Sequence, residues 1–466
     1  MKKLIAAAIA ASALVVHGAG KTEEEIIQEG VHTYMPENYH APTSAAVKAA
    51  LERFRDRKLG LMVHFGIYNQ LGIHESWPLV DEEASWSRRL VDWTGDGEEL
   101  KRTYWSMYRS FNPVRLQPEV WADIAARNGF RYLVLTTKHH DGFCMYDSKY
   151  TDWKVTAKDC PFSSHKYADV CRNVFDAFRA RGLGVVCYFS KPDWHHPDYW
   201  ENCGMGRHVT RMPTYDVKAE PERWARFREY TRNQLLELVA GYGPFDSLWL
   251  DGGQVQPKFG LDIRIEEIVD EARKIQPDLL AVDRTAGNTC EDVITPEQTV
   301  PPKALEIPWE TCTPLGTGFS YRYDDSYMPV KDLVHLFVDI VAKGGNLALD
   351  IAPGPDGRFP RTAVERLDGL GKWLKANGEA IYSTRLCPPH RSGDWAFTRG
   401  KGGETYAIRL WTKAPERTLE LPDGIGRFSK AVHLATGAVS QISKDGTFSF
   451  AADAWPDGIA DAFRLE

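Results

Sequence analysis

The sequence has no Cys-x-x-Cys pair, although it carries 8 cysteines. A structural zinc site built on such pairs is therefore not expected. It has no surplus of positive charge: 57 Lys and Arg stand against 64 Asp and Glu, a formal net charge of -7. That balance argues against a nucleic acid as the main partner. It has no internal repeat and no low-complexity tract, and its apolar content is ample for a packed core, so disorder as the main state is excluded. Its one marked apolar run, residues 4–16, is too short for a stable membrane span, and a multi-span membrane protein is excluded.

That run has the pattern of a secretory signal peptide. Lys2 and Lys3 precede it, and the small residues Gly18, Ala19 and Gly20 follow it, ahead of a charged stretch. Residues 1–20 are set aside on this reading, and the mature protein is expected to be exported, periplasmic or secreted, with no membrane attachment after cleavage. No cysteine follows the run, which gives no support to a lipoprotein anchor. Export would permit some cysteines to pair, while Cys187, inside an apolar run, reads as a small core residue. What the chain does have in quantity is tryptophan, 15 in all. Flat indole faces suit sugar rings, and they serve equally well in a core.

Residues 21–50 read as an acidic helical approach segment. Short apolar runs then alternate with amphipathic stretches. Strands are expected at 60–68, 132–138, 184–190, 247–251, 279–284 and 346–351, with helices over 168–181, 221–242 and 263–275. Such alternation means a parallel sheet with helical crossovers, and at this length a (β/α)8-like (TIM) barrel, closed or incomplete, fits best. From about residue 392 the helical period is lost. Short runs at 395–398, 405–411, 417–421, 431–433 and 447–450 are split by Gly, Pro and Asp. They read as a C-terminal antiparallel β-sandwich that either binds carbohydrate or only packs on the barrel. The expected division is 1–20 signal peptide, 21–388 catalytic α/β barrel, 389–466 β-sandwich.

In such barrels the active site lies at the carboxyl ends of the strands. Here those ends carry His64, then Lys138-His139-His140-Asp141, then Tyr188 with Asp193 and Trp194 close behind, then Trp249-Leu250-Asp251-Gly252-Gly253, then Asp283-Arg284. One such strand end means little, but their convergence on one rim is hard to explain as packing. Asp251 is the sharpest: a mostly apolar strand ends in an acid, and two glycines follow. A carboxylate so placed suits a nucleophile in glycoside hydrolysis; the alternative is a helix N-cap. A retaining mechanism needs a second carboxyl about 5–5.5 Å away, and Glu75, Glu291, Asp292, Glu297 and Glu310 are the candidates. His139 and His140 are candidate metal ligands, but adjacent strand residues point to opposite faces; hydrogen bonding of His64, His139 and His140 to substrate hydroxyls is the preferred reading. Arg284 reads as a sugar-oxygen donor, a partner to Asp251, or a structural salt bridge.

These segments, in this order, resemble the α-L-fucosidases of glycoside hydrolase family 29. The resemblance rests on His64-Phe65-Gly66, Lys138-His139-His140-Asp141-Gly142-Phe143, Trp249-Leu250-Asp251-Gly252, Asp283-Arg284, Glu291-Asp292, Thr295-Pro296-Glu297 and Trp309-Glu310-Thr311-Cys312. It continues through Lys343-Gly344-Gly345-Asn346-Leu347, Pro353-Gly354-Pro355-Asp356-Gly357 and Asn377-Gly378-Glu379-Ala380-Ile381-Tyr382. It implies a barrel with a C-terminal β-sandwich, no cofactor and no catalytic metal, and a fucosylated oligosaccharide or glycoconjugate as substrate. It further implies Asp251 as nucleophile, His64, His139, His140, Trp249 and Arg284 as fucose contacts, and, on weaker matches, Tyr188 and Trp77. The acid/base falls on Glu297 or Glu310, with Glu297 preferred. Two segments depart from the family pattern: Gly318-Phe319-Ser320-Tyr321 replaces an aromatic-Gly-Tyr segment, and Asp350 stands where many relatives have Asn. The expected activity is retaining hydrolysis of terminal α-L-fucose, with a lean towards α-1,3/1,4 linkages. The alternatives are hydrolysis of another fucose-like sugar such as L-galactose, or fucose binding without catalysis.

Overall fold

The computed structural model describes residues 39–88, 97–206, 210–284, 286–450 and 458–466. The expected signal peptide and the first part of the approach segment lie outside these residues. The first described helix, α1 (Ala45–Arg57), starts at Ser44, whose side chain accepts from the Val47 N–H.

A parallel seven-stranded sheet follows, in the order β5-β4-β3-β2-β1-β7-β6. Its strands are β1 (Leu59–Val63), β2 (Tyr132–Lys138), β3 (Gly184–Ser190), β4 (Ser247–Asp251), β5 (Leu280–Val282), β6 (Glu310–Pro314) and β7 (Asn346–Asp350). Between them run α2 (Gly97–Ser106), α3 (Pro118–Arg127), α4 (Val170–Arg179), α5 (Pro221–Tyr242), α6 (Ile265–Ile275) and α7 (Val330–Ala342), with α8 (Arg361–Asn377) after β7. The sheet curls into a barrel, and the eighth place is taken by an irregular extended segment. The Asp292 N–H donates to the Ala281 carbonyl beside β5, and the Gln298 N–H donates to the Cys312 carbonyl in β6. Isolated parallel bridges join Ile294 to Trp309 and Glu297 to Cys312.

Strand alternation sorts the side chains into two packed layers. Met62, Tyr132, Val134, Val186, Tyr188, Trp249, Val282, Cys312 and Ala348 face one another inside the barrel, together with Val47, Ala50 and Leu51 of α1. The helix therefore plugs the amino-terminal mouth. Leu61, Leu133, Val185, Leu248 and Leu250 face outwards under the surrounding helices. Continuing the inward parity past Met62 and Trp249 brings His64 and Asp251 to the carboxyl-terminal rim, about 6.6 Å further along each strand.

Several expected bounds shift. β1 stops at Val63, because the chain turns at Gly66 into a short 3-10 helix at Ile67–Gln70. β5 is only Leu280–Val282, which leaves Asp283 and Arg284 beyond it in the loop. Between the expected strands at 279–284 and 346–351 the structure adds a further one, β6, and Glu310 opens it.

The second unit is antiparallel, as expected. A six-stranded sheet, β13-β12-β15-β10-β9-β8, stands beside the pair β11-β14. Its strands are β8 (Thr384–Ser392), β9 (Trp395–Gly400), β10 (Thr405–Leu410), β11 (Thr418–Glu420), β12 (Lys430–His433), β13 (Val439–Gln441), β14 (Thr447–Ser449) and β15 (Ala460–Leu465). β8 begins at Thr384, so it straddles residue 388, where the sequence reading divides the domains. All eight cysteines are free thiols, and all but Cys203 are buried.

Candidate active site

Five residues define the rim. Asp251 ends β4 and continues the inward alternation from Trp249. No helix starts there: the chain turns, and α6 begins only at Ile265, which removes the N-cap reading. Arg284 Nε lies 3.0 Å from Asp251 Oδ1. A second nitrogen of the same guanidinium, Nη2, ion-pairs with Glu297 Oε2. The Tyr188 hydroxyl donates to Asp251 Oδ2, and His140 Nε2 lies 3.7 Å from the same oxygen. One arginine thus holds two carboxylates side by side, and a phenol fixes the first of them.

Burial raises the Asp251 carboxyl, but the Arg284 charge, then His140 and the Tyr188 hydrogen bond, outweigh it and hold the group well below the usual carboxylate range. Asp251 is therefore ionised at neutral pH. Arg284 and Gln298, on either side of the Glu297 pairing, both adopt left-handed backbone, φ 52° and 50°. Such conformations cost about 1–3 kcal/mol each in a non-glycine residue and cluster at functional sites.

The histidines arrive oriented. His64 Nδ1 lies 2.8 Å from Asp350 Oδ1, and His139 Nδ1 lies 2.6 Å from Ser76 Oγ. Burial lowers the His64 pKa, but the Asp350 charge and hydrogen bond outweigh it and raise the group. Burial pushes His140 down to about 4, so it is neutral in the working range. Phe319, in one of the segments that depart from the family pattern, stands 5.2 Å from His64, centroid to centroid. Trp77 packs edge-on to His140 at 5.1 Å and to Trp194 at 5.7 Å. Tyr188 stacks on Trp249 at 5.2 Å and 14°, and the Arg284 guanidinium sits over the other ring system, 5.2 Å from the indole centroid.

His139, His140 and Asp251 present donor atoms within 4.8 Å of one another. The set suits a cation poorly, because Arg284 already neutralises Asp251 and would repel a divalent ion.

The other candidate carboxyls divide by location. Glu310 is not on the rim. It opens β6 on the amino-terminal side of Trp249, where it accepts the indole N–H at 3.1 Å and the Tyr132 hydroxyl. Burial pushes its carboxyl up to about 7. Asp292 is tied to Arg273 and to the Ala281 N–H, and Glu291 accepts from the Gly287 N–H; both brace the loop after β5. Glu75 is buried near His64, and burial raises it to about 7. The sequence reading did not foresee Ser76 and Asp350 as the groups that orient His139 and His64; only their adjacency to Trp77 and to the end of β7 hinted at it.

A largely buried rim of paired carboxylates, a bridging arginine and fixed aromatic and imidazole donors on a (β/α)8-like barrel defines a glycoside hydrolase. The comparisons narrow the class. A sequence profile described as alpha-L-fucosidase matches residues 26–379, and the chain belongs to that family. It is 29% identical over 397 residues to tissue alpha-L-fucosidase of Macaca fascicularis, covering 79% of this chain and 77% of that protein. Plasma alpha-L-fucosidase of Homo sapiens is 28% identical over 392 residues, 80% of this chain and 79% of its own. Alpha-L-fucosidase isoenzyme 1 from Paenibacillus thiaminolyticus superposes with a TM-score of 0.75 at 29% identity, over 90% of this chain and 99% of that one. Thermotoga maritima alpha-fucosidase with a mechanism based inhibitor gives a TM-score of 0.72 at 25% identity, over 93% and 100%.

Proposed function

We propose that this α-L-fucosidase releases terminal α-L-fucose from glycans by double displacement with net retention. The observation that carries the reading is the pairing of Asp251 and Glu297 on one guanidinium. Asp251 is partly buried, ionised and aimed by Tyr188, as a nucleophile must be. In the first step an Asp251 oxygen bonds to the anomeric carbon, and the glycosidic oxygen leaves with a proton from Glu297. In the second, water attacks the anomeric carbon, Glu297 takes the water proton, and Asp251 departs as carboxylate. The ion pair with Arg284 holds Glu297 in the base form that the second step uses; the first step requires that pair to open and the carboxyl to be protonated. His64, His139 and His140 supply fixed donors for the ring, while Trp249, buried under Tyr188 and Arg284, supports those two side chains from below.

Two finer readings rest on the sequence. The signal-like residues 1–20 support export to the periplasm or medium. The Thr295-Pro296-Glu297-Gln298 and Trp309-Glu310-Thr311-Cys312 segments support a preference for α-1,3/1,4-linked fucose. Proton NMR of the first-formed fucose tests the stereochemistry: α-fucose appearing before mutarotation supports retention, and β-fucose appearing first rules it out.

A further inference from the structure

Behind the catalytic rim, on the outer side of the sheet, lies a fully buried ion pair that no reaction step uses. Lys191, the first residue after β3, places its ammonium 2.5 Å from Asp283 Oδ1, and both side chains are at most 2% exposed. The other carboxylate oxygen, Oδ2, accepts from Asn288 Nδ2 at 2.6 Å.

Strand parity puts this pair and the reacting groups on opposite faces of one wall. Phe189 and Ala281 face outwards under the helices, so Lys191 and Asp283, two residues on from each, continue outwards. Val282 and Trp249 face into the barrel, so Arg284 and Asp251 continue inwards. β4 lies between β3 and β5. The pair therefore crosses behind the end of β4, over two strand spacings that total roughly 9.5 Å. Lys191 is tied to that strand end by its backbone as well: its N–H donates to the Asp251 carbonyl at 2.9 Å.

The pair stands where the sheet gives out. Among the described residues the β4–β5 ladder ends at Trp249 and Val282, while β3 and β4 stay paired as far as Ser190 and Asp251. Asp283 and Arg284 lie beyond the ladder. Arg284 is nevertheless held in left-handed backbone, φ 52°, a conformation that persists only where the surroundings over-determine it. Stability alone does not account for the pair. Taking two charges out of water is costly, and replacing a buried pair by apolar side chains is often neutral or stabilising.

We infer that Lys191 and Asp283 are positioning residues for Arg284: their ion pair fixes the backbone beyond β5 against the end of β4, so that one guanidinium meets both Asp251 and Glu297. The inference rests on the proposed roles of those two carboxylates. The pair acts on the reaction through Arg284, whose charge is the largest of those that keep Asp251 ionised.

The test is a cycle of variants in the full enzyme. Lys191→Met alone strands a buried carboxylate and endangers folding. Lys191→Met/Asp283→Asn, which removes both charges, is therefore compared with wild type, with Arg284→Met and with the triple variant. On an aryl α-L-fucoside the double variant is expected to lose about tenfold or more in kcat/KM, and its acid limb to move up, by less than in Arg284→Met. Added to Arg284→Met, the same two substitutions are expected to change neither value further, because the residue through which they act is gone. An acid limb that stays in place in the double variant, or losses that multiply in the triple variant, overturns the inference.

Arginine side-chain NMR reads the position without turnover. In protein labelled with nitrogen-15 arginine, the Nε–H signal that Arg284→Met deletes is expected to shift and broaden in the double variant. That change supports the positioning role even if wild type turns over no fucoside, an outcome that strikes the proposed function alone. A signal unchanged in the double variant overturns the inference.

Discussion

Arg284 Nε lies 3.0 Å from Asp251 Oδ1 inside a barrel rim that would otherwise favour the neutral acid. The consequence is a pH effect with a defined sign. Replacing Arg284 with Met leaves the burial and removes its largest counterweight, so the Asp251 carboxyl rises and takes up its proton at a higher pH than in wild type. The acid limb of kcat/KM is expected to move up by about 1–3 pH units, the usual effect of an adjacent arginine on a carboxylate. An acid limb that stays where it is in the variant would show that Arg284 does not set the ionisation of Asp251.

Glu297 and Glu310 are separated by their dependence on the leaving group. Loss of a general acid costs about 10²–10⁴ in rate and hurts most when the departing oxygen needs its proton. Glu297→Gln is expected to lose that much on natural fucosides and far less on a nitrophenyl fucoside. Glu310→Gln, whose site lies beneath Trp249, is expected to affect both substrates alike and by less than about tenfold. The reverse pattern would move the acid/base to Glu310.

Glu310 should instead show itself in stability against pH. Its folded carboxyl, raised by burial to about 7, lies above its ordinary value of 4.5. A raised acid contributes stability that is fully present below the unfolded value and is lost as pH climbs through the folded one. Wild type is therefore expected to lose stability relative to Glu310→Gln between pH 4.5 and about 7. Denaturation at pH 4.5 and 8 measures the difference between the two proteins, and a difference that does not vary with pH would contradict a buried, raised Glu310.

Gly252, next to Asp251, has φ +89°, and a Cβ there would meet Pro192 Cδ at 2.2 Å. Its role is thus local backbone fit as much as room for substrate. Gly252→Ala is expected to cost about 1–3 kcal/mol from the conformation alone, and more from the clash, and to lower kcat by displacing the end of β4. Chemical denaturation and kinetics of the purified variant measure both. A fully active Gly252→Ala would mean that the β4 end tolerates movement.

Legibility followed how local the cause was. β4 and Asp251 were legible because an apolar run, an acid and two glycines adjoin one another. β6 was not, because Glu310-Thr311-Cys312-Thr313-Pro314 shows no alternation of polarity. Its buried acid is satisfied by Tyr132 and Trp249, partners 178 and 61 residues away. The segment that fills the eighth barrel place was hidden for the same reason: its bonds to β5 and β6 are scattered and carry no period. β8 was obscured by Pro388 and Pro389, which interrupt it where its register with β9 shifts, between Leu386 and Arg391. At the site, the rim residues could be read one strand end at a time. The orienting contacts could not: His64 meets Asp350 across 286 residues, and His139 meets Ser76 across 63.

The central claim is that Asp251 attacks the anomeric carbon. The most direct measurement is release of nitrophenol from an aryl α-L-fucoside by wild type and by Asp251→Gly, with and without sodium azide. Turnover by wild type, a loss of at least about 10³-fold in the variant, and recovery in azide with formation of β-L-fucosyl azide are the expected results. Activity retained by Asp251→Gly without azide, or recovery that yields only free fucose, would contradict the claim.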